Sequence, residues 1–330
     1  MKRAVLLSVV AVIGVLFLLP GSAAASPRRG DANAGCRVTS RMTHAHFAIG
    51  NSTSPLDSAI AAAPAADTLR ISGTCVGTFE VTQNLTLVGH TTSGRQAVLD
   101  ARQCGTVLTV TGATVHVVGI RLTGGADGFG LPCGDGSFGG GLVNTGGAVS
   151  LSHVRIDHNR TQGGIRNLGG AVTLSDSIVT QNSAFTAGGG IASDGGSLTI
   201  ARTTISDNSA LMGGGVWTSG TDTTFADATV TANAVIDQGG GVLAATGSLT
   251  LTNTEVSGNS AGSGAGIAVF DSSLAVAGTS SVRQNAARES AGGILSSGTT
   301  VTVSGWTGTV SDNTPDNCAP TLTLGVTTCS

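Results

Sequence analysis

The sequence predicts an all-β protein: a right-handed parallel β-helix solenoid of about ten stacked coils, with a short N-terminal capping helix. Three observations lead there. Seven successive units each end in Asn (Asn159, Asn182, Asn208, Asn233, Asn259, Asn285 and Asn313), and a repeat of roughly 20 to 50 residues means a solenoid or an array. Three residues before each of those Asn stands Ile or Val (Ile156, Val179, Ile205, Val230, Val256, Val282, Val310). Around these anchors apolar and polar residues alternate, as in Gly247-Ser248-Leu249-Thr250-Leu251, which is the period of a strand and not of a helix.

The chain opens MKRAVLLSVVAVIGVLFLLPGSAAAS, with two cations, an apolar run from Ala4 to Leu19, a Pro-Gly break and small residues at Ala23-Ala24-Ala25. That pattern is a secretory signal peptide over residues 1–25, its apolar run shorter than the roughly 20 residues that span a bilayer. The mature chain is therefore expected to be secreted and extracellular, with no membrane span. Residues 26–54 have no period and read as a loosely ordered leader. Pro55 to Ala63 sets Leu56, Ile60 and Ala63 on one face of a short helix. Residues 55–68 are expected to cap the solenoid end, where strands would otherwise lie unpaired.

From Leu69 to Gly125 the pieces TLRIS, TFEV, NLTLVG, AVLD, TVLTV and TVHVVGIRLTG fit about three less regular coils. In the regular units, Leu151, Leu174, Ile200, Phe225 and Leu251 stand eight residues before the first five Asn, and Leu142, Ile165, Ile191, Val216 and Val242 stand seventeen before them. Spacing is fixed inside a unit and variable after each Asn, so the fixed segments are strands and the variable one a loop. Three short strands cannot bury a face alone. Stacked units pair in parallel about 4.8 Å apart, and the Val/Ile/Leu columns become interior ladders. The Gly runs suit turns or close approach between coils. The Asn column suits a left-handed turn position, with amides bonding from coil to coil. The β-helix is expected over 69–318 and a C-terminal strand and cap over 319–330.

Charged residues are only 11% of the chain, Gly numbers 51 and Tyr is absent, a composition that favours regular stacking over an aromatic core. Lys2 is the single lysine, and removal of Lys2 and Arg3 moves the formal charge from -3 to -5. No basic patch stands out, so nucleic acid is excluded as a partner. Cys36, Cys75, Cys104, Cys133, Cys318 and Cys329 all fall in the exported part, and an even count there argues for disulfides. Cys318 and Cys329 bracket one short strand and are expected to pair; the pairing of the other four stays open.

The GG[A/G][I/V]…N units, the segment LDSAIAAAPAADTLRISGTC and the terminal NTPDNC resemble bacterial right-handed β-helix proteins of the pectate lyase-like group. The repeats are similar to those of polymorphic outer-membrane proteins, with Ile or Val where that family carries Phe three residues before the Asn. The likeness spans roughly residues 55 to 318 and implies the fold. Pectate lyases and polygalacturonases share that fold, so the resemblance also raises a polysaccharide-active enzyme.

Candidate chemistry is sparse. Six residues before the Asn runs the column His153, Asp176, Arg202, Asp227, Asn253. Asp176 and Asp227 fall two coils apart, about 9.5 Å, near the upper separation of an inverting acid and base pair. Arg202 between them makes a ladder of ion pairs the simpler reading. Arg155, Asp157 and His158, with Arg160 and Arg166, form the densest polar group, where irregular coils give way to regular ones; a groove and a solvated edge both fit. Asp127 and Asp135, in the longest departure from the repeat, are candidate Ca²⁺ ligands, and no other cofactor is expected. His44 and His46 lie in the leader. Ser150, Thr173, Thr199, Thr224 and Thr250 form an outward hydroxyl column, and Trp217 with Trp306 gives a thin supply of the aromatics that carbohydrate sites recruit. The sequence thus reads as a secreted, non-catalytic β-helix with a surface-interaction or structural role, its partner a protein or glycan at a cell surface. The alternative is a polysaccharide lyase or hydrolase, or a glycan binder, using Asp176 and Asp227 or the flank of Arg155, Asp157 and His158.

Overall fold

The computed structural model describes residues 35–48, 54–92, 94–128, 139–324 and 327–329, which belong to one compact unit, Ala32–Ser330. The signal peptide expected over 1–25, Cys133 and the candidate ligand Asp135 lie outside the described residues.

One coil explains the rest. Ile191–Asp194, Ser197–Ala201 and Thr204–Ser206 are three short strands, each pairing in parallel with its equivalent in the next coil, Val216–Ser219, Asp222–Ala226 and Thr229–Thr231. The register does not slip: Ile191 lies opposite Val216, Ile200 opposite Phe225 and Ile205 opposite Val230. Repetition builds three sheets. Sheet I contains Ser197–Ala201 and has 12 strands, while sheet II, with Thr204–Ser206, and sheet III, with Ile191–Asp194, have 10 each. The side chains of Ile191, Ile200, Ile205, Val216, Phe225 and Val230 are all 0% exposed. Each contributes roughly 1.5–3 kcal/mol of burial, and because neighbours in the column are one rung away, the core is continuous along the axis.

Of the bends that close each coil, three place recurrent columns of residues in the left-handed region. His153, Asp176, Arg202, Asp227 and Asn253 occupy the bend between sheets I and II; His158, Gln181, Asp207, Ala232 and Gln284 the one after sheet II; Gly146, Gly169, Gly195 and Gly220 the one between sheets III and I. The repeating Asn is therefore not itself the left-handed residue, as its turn preference suggests; the residue before it is. That bend swings the amide inward, and Asn182, Asn208, Asn233, Asn259 and Asn285 are each 1% exposed. Asn208 Oδ1 accepts from the backbone N–H of Asn182 at 3.0 Å and from Asn182 Nδ2 at 3.0 Å. Asn208 Nδ2 donates to Val179 O at 3.0 Å and Asn233 Oδ1 at 3.0 Å. The same bonds recur along the column, through Asn313 to Asn317 Oδ1. A shorter buried ladder on sheet III, which the alternation conceals, runs from Asn144 to Asn167 at 2.8 Å and on to Ser193 at 2.9 Å.

The Gly preceding sheet III is required by close approach. A Cβ on Gly190 would lie 2.5 Å from Gly215 O in the next coil. The variable stretch after each Asn is not all loop: Ser209–Ala210, Ala234–Val235, Ser260–Ser263 and Ala286–Ser290 form a small fourth sheet.

The N-terminal end corrects two expectations. Part of the leader is ordered: Arg37–Ser40 pairs antiparallel with Asp67–Ser72, and His46–Ala48 pairs outside it, extending sheet I. No period is visible there because two antiparallel strands of 4 and 3 residues hold no repeat. A disulfide ties Cys36 to Cys75, and buried Asp67 accepts from Ser40 Oγ at 2.5 Å, Met42 N at 3.0 Å and Thr68 N at 2.6 Å. The capping helix covers Pro55–Ala62 and buries Leu56, Ala59 and Ile60. It is shorter than 55–68 because Ala63 precedes Pro64 and adopts an extended conformation, φ -71 and ψ 134. At the other end Leu322–Leu324 pairs antiparallel with Thr327–Cys329, and Cys318 is bonded to Cys329. Cys104 is also disulfide-bonded. Among the described residues no helix is long and apolar enough to cross a membrane.

Candidate functional site

Sheet II places Arg121, Arg155 and Asp157 in two outward rows. In the first row Val98, Arg121, Arg155 and Ile178 follow one another rung by rung, and in the second Asp100, Thr123, Asp157 and Thr180. Strand alternation turns Ile156 into the core and leaves Arg155 and Asp157 on the outer side. Asp157 lies beneath two guanidiniums: Arg121 Nε is 2.7 Å from Oδ1 and Arg155 Nε 2.5 Å from Oδ2, with the aspartate side chain 1% exposed. Burial alone would raise its pKa, but hydrogen bonding and charge from Arg121 and Arg155 outweigh that and hold the carboxyl below the usual carboxylate range.

The remaining members of this group disperse. His158 sits on its left-handed bend with Nδ1 3.6 Å from Asp157 Oδ2 and its side chain 57% exposed. Arg160 follows Asn159 on the way to sheet III, and Arg166 belongs to Ile165–Leu168 of sheet III, a different face. The partner that sequence spacing missed is Arg121, which comes from the preceding coil.

Asp176 and Asp227 stand on the bend between sheets I and II. Arg202 grips Asp176 through Nε at 2.7 Å and Nη2 at 2.9 Å. That hydrogen-bonded contact lowers the Asp176 pKa and raises that of Arg202. Asp227 Oδ1 accepts from Asn253 Nδ2 at 3.1 Å. The column is a ladder of surface pairs. Replacing Asp176 by Asn is accordingly expected to leave the denaturation midpoint unchanged within error, since exposed pairs contribute little; a large drop in urea-unfolding experiments would contradict this.

Two clefts open on the same flank. One, of about 570 Å³, is lined by Asp227, Asn253, Glu255, Thr279 and neighbours. Its Glu255 is 2.6 Å from Arg283 Nη2. The other, of about 900 Å³, lies at the N-terminal end, lined by Arg37, Arg95, Gln96, Arg121, Ser72 and Thr74 among others. It brings together three arginines that the sequence reading does not group. Its arginines are far apart in sequence, two of them in coils too irregular to align, and only the antiparallel leader strand brings Arg37 beside them.

The other candidates stay apart. Asp127 ends the short strand Ala126–Asp127, antiparallel to Cys104–Gly105, and His46 Nδ1 lies 3.2 Å from Thr39 Oγ1. Among the described residues no group of three or more His, Cys, Asp or Glu is placed to hold a metal ion. Ser150, Thr173, Thr199, Thr224 and Thr250 do form one outward column of sheet I, in unbroken register.

Three parallel sheets wound coil on coil define a parallel β-helix. The right handed beta helix region family model matches residues 140–314, and the chain belongs to that family. Among solved structures it is similar to the A-module of the Azotobacter vinelandii mannuronan C-5 epimerase AlgE6, with 15% identity and a TM-score of 0.40 over 80% of this chain and 86% of that one. No sequence among the curated proteins matches significantly.

Proposed function

We propose that this right-handed β-helix is a secreted, non-catalytic module that works through the outer face of sheet II and its flanking bend. The observation that carries the reading is the pairing of the charges there: Asp157 with Arg121 and Arg155, Asp176 with Arg202, Glu255 with Arg283. The guanidiniums hold the carboxyls of Asp157 and Asp176 below the usual carboxylate range, which makes these two poor proton donors, whereas glycoside hydrolysis needs one carboxyl kept protonated. Disulfides at both ends of the solenoid support export to an oxidising compartment.

A second reading, a polysaccharide lyase or hydrolase, draws on the cleft that holds Asp227 and Glu255 together. The test is a panel of acidic and neutral polysaccharides, with and without Ca²⁺, followed by unsaturated-product absorbance and reducing ends. No turnover is expected. Turnover abolished by Asp227→Asn or Glu255→Gln would establish the second reading instead.

A further inference from the structure

We propose that the arginine cleft at the N-terminal end of sheet II binds an acidic protein segment, whose side-chain carboxylates pair with Arg37, Arg95 and Arg121; this deepens the reading of that face as a binding surface and rests on it. The cleft, about 900 Å³, has no acidic residue in its lining. Among the described residues no carboxylate lies within 4.0 Å of Arg37 or Arg95, both exposed. Asp157 engages Arg121 through Nε, so the outer side of that guanidinium still faces the cleft. Planar guanidinium forks match carboxylates in shape as well as charge.

The layout favours charges repeated along a chain. Arg37 stands opposite Ser72 on the first rung, Arg95 leads into the strand of Val98 on the second, and Arg121 is in register with Val98 on the third. The lining includes Gly35, Gly73, Ser72, Thr74, Thr92, Gln96 and Val98 and no aromatic residue. A sugar ring finds no stacking platform there, while a peptide finds hydroxyls, an amide, approachable backbone and one apolar wall. The surrounding charge agrees: residues 26–189 hold eleven arginines and nine acids, whereas 190–330 hold three arginines and ten acids, so an acidic ligand is drawn to the N-terminal half.

The test is a fluorescence-anisotropy titration of labelled hexaglutamate with the wild-type protein and with the double variant Arg37→Gln/Arg95→Gln, which leaves Arg121 and Asp157 alone. Both arginines are exposed, and circular dichroism with a thermal melt checks that the fold is retained. Saturable binding is expected, weakened about tenfold or more in the double variant, weakened by salt and partly restored in Arg37→Lys/Arg95→Lys. Absence of binding, or equal binding by wild type and variant, overturns the proposal. Tighter binding of an oligogalacturonate of equal charge overturns it in favour of a glycan, and salt-sensitive self-association lost in the variant overturns it in favour of a second copy. The polysaccharide turnover screen stands apart, so loss of the peptide proposal leaves the non-catalytic reading intact.

Discussion

Replacing Asn208 by Ala is expected to lower the unfolding free energy by about 3–5 kcal/mol, read from urea denaturation at neutral pH. The buried amide serves four partners. Its removal leaves the N–H of Asn182, one N–H of the Asn182 amide and the Val179 carbonyl without the bonds they make at 3.0 Å. Asn233 Oδ1 keeps the backbone N–H of residue 208 as a donor. Each orphaned buried group costs about 1–3 kcal/mol, which outweighs the net contribution of an ordinary hydrogen bond several-fold. Thr224→Ala, on the outward face of sheet I, is the control and should fall within about 0.5 kcal/mol of wild type. Equal losses in the two variants would show that stacking strands, and not the amide column, carry the stability.

The second large effect centres on Asp157. Its replacement by Ala leaves Arg121 and Arg155 facing each other across the space the carboxylate filled. Removing one partner of a fully buried ion pair costs about 3–5 kcal/mol. These guanidiniums are 35% and 38% exposed, so water compensates and the expectation is nearer 2–3 kcal/mol. The pH dependence has a definite sign. The folded-state pKa of Asp157 lies below its ordinary value, so between the two values the unfolded chain binds more protons than the native one. The stabilisation is complete above the ordinary carboxylate range and is lost as pH falls through the lowered value. Stability measured from neutral pH downward should fall more steeply in the wild type than in Asp157→Asn; parallel curves would remove Asp157 from the acid response.

The periodic part of this fold was legible because one rung repeats the physics of another. Ile205 predicts Val230, and both point inward for the same reason. Two kinds of feature escaped. The Asn column advertises a turn, but the left-handed residue is the one before it, and that position, filled by His158, Gln181, Asp207 or Ala232, shows no single residue type. The basic cleft escaped because register is what brings residues together, and register cannot be counted through coils of unequal length. Arg155 and Asp157 stand two apart on one strand and so group by spacing alone; Arg121, one irregular coil away, does not. Asp176 and Arg202 sat in aligned units, and their pairing was readable as soon as the repeat was.

The Asn column also has a direction. In every step one amide N–H points to the following coil and the amide C=O to the preceding one, so the group dipoles, about 3.5 D for an amide unit, add along the axis instead of alternating as strand dipoles do. The carbonyl end of the column accepts from the backbone N–H of Gly125 at 2.8 Å, and its N–H end donates to Asn317 Oδ1 at 2.9 Å. The interior of the solenoid is thereby polarised along its own axis, a property known from the α-helix and produced here by side-chain amides.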